Sequence, residues 1–478
     1  MSRLRLGAIL FLAFALRLAG LGRESLWYDE AFTLRFARQS FSGMLALLVR
    51  EAWDPPVYPS AVWVWVRLFG AGDWQVRLLS AAFGTLAVLA LHGLVRRLFD
   101  RRTADLAAFL AAISQLLIAY SQEARCYSLL LLLLLAAASK LVDAVREGAT
   151  ARSGRAFVLL AALATLTHYY AVFFLLALLV SVLAGPARAA VPPKRLLVWL
   201  AAYALLLAPW LASGVVASAA SQPVAHFERV APWFSVDALS LLRTVGDFHG
   251  ARMDGMLARA PRWTYPVGAL LFGVPALLAL RPLAARSAPA AERLSTALLV
   301  LLAFLPMALL IALGFAKVQF APRYVLFCCA PYLALVARGL AGLSPRARSL
   351  FLAGILAWSA LSLRALYAIP AKEDWRGALR ELSLAVRPGD RVLFLPFGDR
   401  PLEWPVYHPE GPELDVVGLD EPERLDCDRL WVLTYERVPV ADPRVDRARE
   451  FLLRRRAVHR SAYFLVRVEL YRPPKVVE

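Results

Sequence analysis

Two acids stand side by side at Asp29-Glu30, inside the run Ser25-Leu26-Trp27-Tyr28-Asp29-Glu30 that follows the first apolar stretch. A carboxylate there can take a proton from a hydroxyl or ligate a divalent cation. The plainer reading is a helix start, with the acids capping a segment that runs through 31–36. A second group occupies Tyr120-Ser121-Gln122-Glu123-Ala124-Arg125-Cys126-Tyr127. The planar Arg125 guanidinium suits a forked hold on a phosphate, and an internal ion pair with Glu123 or Asp29 would account for it equally well. Thr167-His168-Tyr169-Tyr170 interrupts an apolar hairpin. An ionisable group at membrane depth marks function by default, although a hydrogen-bonded histidine that fixes a turn fits the same residues. Lys317 and Gln319 precede Arg323-Tyr324. These cations match a phosphate at headgroup height, or helix-end side chains reaching for water.

The elements that must position these groups are apolar. Of 478 residues, 60% are hydrophobic and 19% charged, and mean hydropathy is positive. A soluble chain of this size needs far more charge on its surface. A spanning helix takes about 20 apolar residues. Eleven such stretches are read at 4–22, 77–98, 103–120, 126–143, 156–170, 171–184, 196–213, 264–282, 294–315, 324–342 and 349–367. The expectation is an α-helical polytopic membrane protein with about eleven transmembrane helices.

Charge sets the orientation. Arg96, Arg97, Arg101 and Arg102, then Arg152 and Arg155, then Arg188, Lys194 and Arg195, and finally Arg338, Arg346 and Arg348 border the apolar stretches. Basic clusters hold loops in the cytoplasm. That places the N-terminus inside, the loops 23–76 and 214–263 outside, and residues 370–478 outside. The split of 156–184 at His168-Tyr169-Tyr170 rests on the same bias, since one unbroken helix would reverse everything downstream. Segment 54–70, rich in Trp, reads as a helix lying at the outer interface. Arg3 and Arg5 before an apolar run mimic a signal peptide, but Arg17 interrupts the run and no small-residue cleavage site closes it.

The net charge of +18 raises a nucleic-acid reading that this bordering pattern rejects. Four cysteines form no CxxC pair and no even framework, so cysteine redox and zinc chemistry are not expected. Asp426-Cys427-Asp428 matches a DxD metal-diphosphate motif, but it sits before a strand and reads better as a turn. No Walker loop or GxGxxG occurs, which removes the usual nucleotide cofactor motifs.

From about residue 370 the texture changes. Strands are expected at 391–396, 414–419, 430–435 and 463–471, and amphipathic helices at 375–386 and 442–455. About 100 residues suffice for an α/β domain with its own core. The division is therefore 1–369, membrane module, and 370–478, small extracytoplasmic domain.

Taken in order, SLWYDEAFT (25–33), WDPPVY (53–58) with LFG (68–70), RLLSAAFGTLAVLAL (77–91), YSQEARCYSLL (120–130), THYYAVFFLL (167–176) and PRYVLF (322–327) resemble the GT-C glycosyltransferases, in the family of protein O-mannosyltransferases and aminoarabinose lipid A transferases. EDWRGALREL (373–382) looks like the start of the soluble domain of bacterial members. The resemblance implies a GT-C fold and a polyprenyl-phosphate sugar donor used at the outer face of a bacterial inner membrane, with a lipid, glycan or protein acceptor. It makes Asp29 the general base of an inverting transfer, with Glu30 beside it. Arg125, Tyr127, Lys317, Arg323 and Tyr324 would meet the lipid phosphate, and Asp54, Glu123, His168 and Tyr169 would orient these groups or complete a site for a divalent metal ion, since some members use one. Cys126 departs from the larger apolar residue often found there, which touches packing rather than chemistry.

A transporter or flippase is the rival class. Such proteins show repeated halves and midplane charges, whereas here no repeat appears and the charged residues gather at the outer edge. Lipid-diphosphate polymerases and ligases lack matches to the DE and SQEARCY elements.

Overall fold

The computed structural model describes residues 2–51, 54–146, 151–184, 191–220, 236–237, 239–252, 261–285, 287–315, 320–396, 398–408, 413–436 and 442–474. The chain divides into two compact units, one of residues 1–21 with 36–369 and the other of residues 22–35 with 370–478.

In the first unit helix covers most of each of the eleven apolar stretches, with a break inside 103–120 and a π-helical turn, Ala269–Gly273, between the helices Thr264–Gly268 and Val274–Leu278. The early ones are α1 (Ser2–Leu18), α2 (Tyr28–Ala37), α3 (Phe41–Glu51), α4 (Val57–Phe69), α5 (Asp73–Leu98), α6 (Arg101–Ala112), α7 (Gln115–Ser121), α8 (Tyr127–Arg146), α9 (Ala151–Thr165) and α10 (Ala171–Leu183). Further helices cover Pro193–Ala220, Ala290–Phe315, Leu326–Ala341 and Pro345–Ala368. Among the described residues seven helices are long and apolar enough to cross a membrane, and eight if the bent pair α6–α7 is one crossing. α1, α9 and α10, at 17, 15 and 13 residues, are shorter than a standard span. Large apolar side chains such as Leu4, Phe11, Leu205 and Leu350 are more than 70% exposed. Water would penalise such a surface and lipid would not.

The break in α6–α7 is the first departure from a continuous span at 103–120. Ser114 interrupts the apolar run, and its Oγ accepts the Leu117 N–H to start a new helix. The axis bends by 60°, leaving the last carbonyls of α6 without helical partners. Arg17, buried in α1, reaches across to accept this role as donor: its Nη1 lies 3.4 Å from the Ala112 carbonyl and 2.9 Å from that of Ala13, its Nη2 3.5 Å from the Ala111 carbonyl, and its Nε 3.1 Å from Ser121 Oγ. Gln122 returns the favour, its Nε2 donating to the Leu16, Arg17 and Ala19 carbonyls at the end of α1. Non-helical backbone survives at membrane depth only when protein groups satisfy it in this way. Gly84 is required beside this knot, because an added Cβ would lie 2.1 Å from Ser121 Oγ.

The chain also turns at 166–170, between α9 and α10. α9 packs on α8, while α10 packs chiefly on the helix Ala290–Phe315.

The second unit holds a five-stranded sheet, β1 (Arg391–Leu395), β2 (Asp415–Val416), β3 (Leu430–Tyr435), β4 (Arg456–Tyr463) and β5 (Val466–Arg472), in the order β2-β1-β3-β5-β4. β1 pairs in parallel with β2 and β3, and β5 pairs antiparallel with β3 and β4. β1 and β3 are near-continuous apolar runs because both faces are covered. Val392, Phe394, Trp431 and Leu433 pack with Trp375, Leu379 and Leu382 of the helix Trp375–Ala385. Leu393, Leu395, Leu430 and Val432 pack with Val445, Ala448 and Leu452 of the helix Pro443–Leu453. The expected single strand at 463–471 is a hairpin instead, turning at Phe464-Leu465, where Leu465 has φ 61°. β4 escaped the sequence reading because it is a largely exposed edge strand, with Arg456, His459, Arg460 and Ser461 among its eight residues. Asp426-Cys427-Asp428 lies in the turn before β3, where Arg455 Nη2 donates to the Cys427 carbonyl and Arg391 Nη1 to that of Asp426.

Candidate active site

Within the first unit, Arg125 stands on the turn between α7 and α8, which the bent span and its Arg17–Gln122 braces hold in place. Its guanidinium forks onto Asp54, with Nη1–Oδ2 3.1 Å and Nη2–Oδ1 3.4 Å. Behind it, Ser80 Oγ donates to the Arg125 carbonyl at 3.2 Å and lies 2.8 Å from Tyr58 Oη. Arg125 is thus ion-paired with Asp54, a residue on the approach to α4, where the sequence reading had named Glu123 or Asp29 as partner.

His168 sits in the α9–α10 turn. The Tyr170 N–H donates to its Nδ1 at 3.2 Å, which places the neutral ring's proton on Nε2. Its ring lies 6.1 Å from Tyr127, 5.2 Å from Tyr170 and 5.8 Å from Tyr324, centroid to centroid. Tyr120 joins the cage at 5.3 Å from Tyr127. Arg323, on a 3-10 turn Pro322–Val325, extends its guanidinium over Tyr324, 5.4 Å from the ring centre. The charges of Asp54, Arg125 and Arg323 all act on the His168 ring, and those of Glu123, Arg323, Arg252 and Asp247 on Tyr120. Asp54, Glu123, Arg125, Tyr127, His168, Arg323 and Tyr324 thus share one neighbourhood, although four stretches of chain supply them. Tyr169 Oη accepts the Trp210 Nε1–H hydrogen bond at 3.1 Å, and Asp54 lies close enough for its charge to reach this tyrosine too. Lys317 lies outside the described residues.

The sequence reading missed Asp247 and Arg252. Arg252 holds Asp247 through two 2.8 Å contacts, and Gln115 Nε2 donates to the Arg252 carbonyl at 3.1 Å and the Ser362 carbonyl at 2.8 Å. Asp247 lies in the short amphipathic helix Ser240–Phe248 and Arg252 four residues beyond its end, inside a stretch that the sequence reading took as a loop.

Asp29 and Glu30 belong to the second unit, in the first turn of α2. The helix begins at Tyr28, so both acids lie inside its first turn and not at the cap of a segment starting at 31, and acids suit that end of the dipole. They differ in environment. Glu30 is fully buried, with Lys372 Nζ 3.0 Å from its Oε2. Asp29 is partly exposed, and its carbonyl accepts from Thr33 Oγ1 at 3.0 Å. Glu403, 1% exposed, lies close enough for its charge to couple to Asp29 and Glu373. Burial first, and these two carboxylates second, push Glu403 up to about 8. Among the described residues no group of three or more His, Cys, Asp or Glu side chains is gathered to hold a metal ion.

Residues 54–212 match a family model described as dolichyl-phosphate-mannose-protein mannosyltransferase. Solved structures similar to this chain include ArnT from Cupriavidus metallidurans bound to undecaprenyl phosphate, with 15% identity, TM-score 0.59, and 98% of this chain and 97% of that one covered. They also include the archaeal oligosaccharyltransferase AglB from Archaeoglobus fulgidus in complex with an inhibitory peptide and a dolichol-phosphate, with 16% identity, TM-score 0.54 and coverages of 89% and 69%. Another structure of the Archaeoglobus fulgidus enzyme is a complex with Zn and sulfate, at 16% identity, TM-score 0.54 and coverages of 89% and 67%. No curated protein matches by sequence.

The architecture is that of the GT-C glycosyltransferases, a multi-pass membrane fold with a small C-terminal sheet domain. Within that class the chain resembles the protein O-mannosyltransferase and ArnT group.

Proposed function

We propose that this chain transfers a sugar from a polyprenyl-phosphate donor to an acceptor at the outer face of a bacterial inner membrane, with inversion at the anomeric carbon. One observation carries the reading: Arg125, forked onto Asp54, and Arg323, over Tyr324, each stand within two residues of a tyrosine ring that packs on His168. A monophosphate ester in the headgroup layer is the ligand such a paired-cation setting suits.

Asp29 takes the proton of the acceptor hydroxyl as that oxygen bonds to the anomeric carbon. The bond from that carbon to the phosphate oxygen breaks, and its electron pair leaves with the polyprenyl phosphate. Arg125 and Arg323 neutralise the charge that grows on the leaving phosphate, an effect strengthened where water is excluded. Asp54 fixes the Arg125 fork, and Tyr127, Tyr324 and His168 shape the cage. Lys317 adds a cation on the phosphate side, and Glu123 and Tyr169 orient neighbouring groups. Lipid, glycan and protein remain the acceptor classes. The N-terminus lies in the cytoplasm and residues 370–478 lie outside, as the basic clusters require.

The test is transfer from a panel of purified undecaprenyl-phosphate sugars, with envelope extract as acceptor and release of undecaprenyl phosphate as the readout. Asp29→Asn is expected to lower kcat by about 10²–10⁴-fold, the range of a lost general base, with little change in donor KM. Wild-type rates from that variant would remove Asp29 as base. A chain that moves lipid across vesicles without breaking the sugar–phosphate bond would be a flippase instead.

A further inference from the structure

The segment carrying Asp29 is clasped by residues more than 340 positions away in sequence, and the clasp is dense. Glu24 Oε1 accepts the Ala371 N–H at 2.5 Å and the Lys372 N–H at 3.3 Å. Ser25 Oγ donates to the Glu373 carbonyl, and the Leu26 N–H to Tyr407 Oη at 2.5 Å. Glu373 is itself held, with Tyr435 Oη donating to its Oε1 at 2.5 Å. Arg376 Nη2 donates to the Arg23 carbonyl at 2.7 Å. At the centre lies the ion pair of Lys372 with Glu30, their side chains 11% and 0% exposed.

We propose that Lys372 is a positioning residue for the Asp29 carboxylate, acting through Glu30; this rests on the reading of Asp29 as the base. The two acids are successive residues of one helical turn, about 100° apart around the axis. Anchoring Glu30 inward therefore sets the direction in which Asp29 faces, and leaves Asp29 the accessible member of the pair. Glu30 Oε2 also lies 3.4 Å from the Trp27 N–H at the start of α2, so one carboxylate ties the helix start to Lys372. Nothing else in the pair's geometry suits proton transfer to a substrate, because Glu30 has no exposed surface. A buried carboxylate deprived of its cation must reorganise, since an uncompensated charge is not tolerated there.

The experiment compares the full chain with Lys372→Met and Lys372→Arg, each in the wild-type and Asp29→Asn backgrounds. In the wild-type background Lys372→Met is expected to lower kcat by about 10–100-fold, the scale of a roughly 1 Å misplacement. Donor KM should stay within about twofold, since uniform binding is untouched, and Lys372→Arg should recover most of the rate. In the Asp29→Asn background Lys372→Met should cost nothing further. An equal loss in both backgrounds would show that Lys372 acts independently of Asp29 and overturn the proposal. Hydrogen exchange over residues 25–33 gives a reading that needs no activity: faster exchange in Lys372→Met, restored in Lys372→Arg, supports the clasp, and unchanged exchange sinks it. Full activity of Asp29→Asn with altered exchange would instead retire the catalytic reading while leaving the clasp standing.

Discussion

Arg125 and Asp54 face each other as a fork and a carboxylate, at 3.1 and 3.4 Å, across 71 residues of sequence. Their side chains are 13% and 18% exposed, enough burial for the pair to hold its geometry and enough access for a ligand. Only a planar donor makes both contacts at once. Arg125→Lys should therefore reduce transfer by about 10²-fold, near the loss of one oriented donor at a charged centre. Asp54→Asn should weaken transfer less, because it leaves the cation in place. Single-turnover rates for the two variants check the order; a lysine that transfers as well as arginine would argue against phosphate recognition by the fork.

Glu403 makes a pH prediction. Its carboxyl is held at about 8 in the folded chain against 4.5 in the unfolded one, so between those values the folded state binds the extra proton. The stability this contributes is complete below pH 4.5 and is lost as pH rises through about 8. The slope of melting temperature against pH over that window should flatten in Glu403→Gln. A slope identical to wild type would mean that the carboxyl ionises freely in the folded chain.

Arg17 is buried and braces the broken span through the Ala111 and Ala112 carbonyls and the Ser121 hydroxyl, while also donating to the Ala13 carbonyl of its own helix. Arg17→Met keeps the volume but leaves those carbonyls to find other donors. We expect a loss of about 3 kcal/mol, the scale of a buried polar group left unsatisfied. Denaturation of the purified chain in detergent measures it, with Arg17→Lys between the two.

Gly339 allows the helix Leu326–Ala341 to approach the segment around Pro275, where an added Cβ would lie 1.8 Å from the Pro275 carbonyl oxygen. Small residues at such crossings let backbones close in. Gly339→Ala should cost about 1–3 kcal/mol through overpacking. A shift in melting temperature reports it, and a neutral result would show that the two helices can slide apart without penalty.

The apolar runs made the helices legible, because composition over 20 residues decides where a helix in lipid can form. The α6–α7 break was not legible as such. Ser114 alone signals it, and a lone serine in an apolar run more often bonds back to its own helix. The aromatic residues around His168 were singled out by their contrast with the apolar background, whereas Asp247 and Arg252 had no background to contrast with. Lys372 stood next to a recognised stretch at 373–382, yet nothing local in sequence joins it to Glu30. Pairings across 342 residues are a property of the fold, not of any window. In the sheet domain, buried β1 and β3 announced themselves by hydrophobicity, and the polar edge strand β4 did not.

Residues 22–35 share a compact unit with 370–478, which imposes a schedule on biosynthesis. The stretch emerges from the ribosome early, whereas its partners between 370 and 478 arrive only when nearly the whole polypeptide has been made. A chain cut after residue 369 would strand it permanently, so a protease should nick such a fragment near Ser25 while sparing the intact protein. Loss of residues 370–478 would then be felt at the front of the sequence, hundreds of codons upstream of the cut.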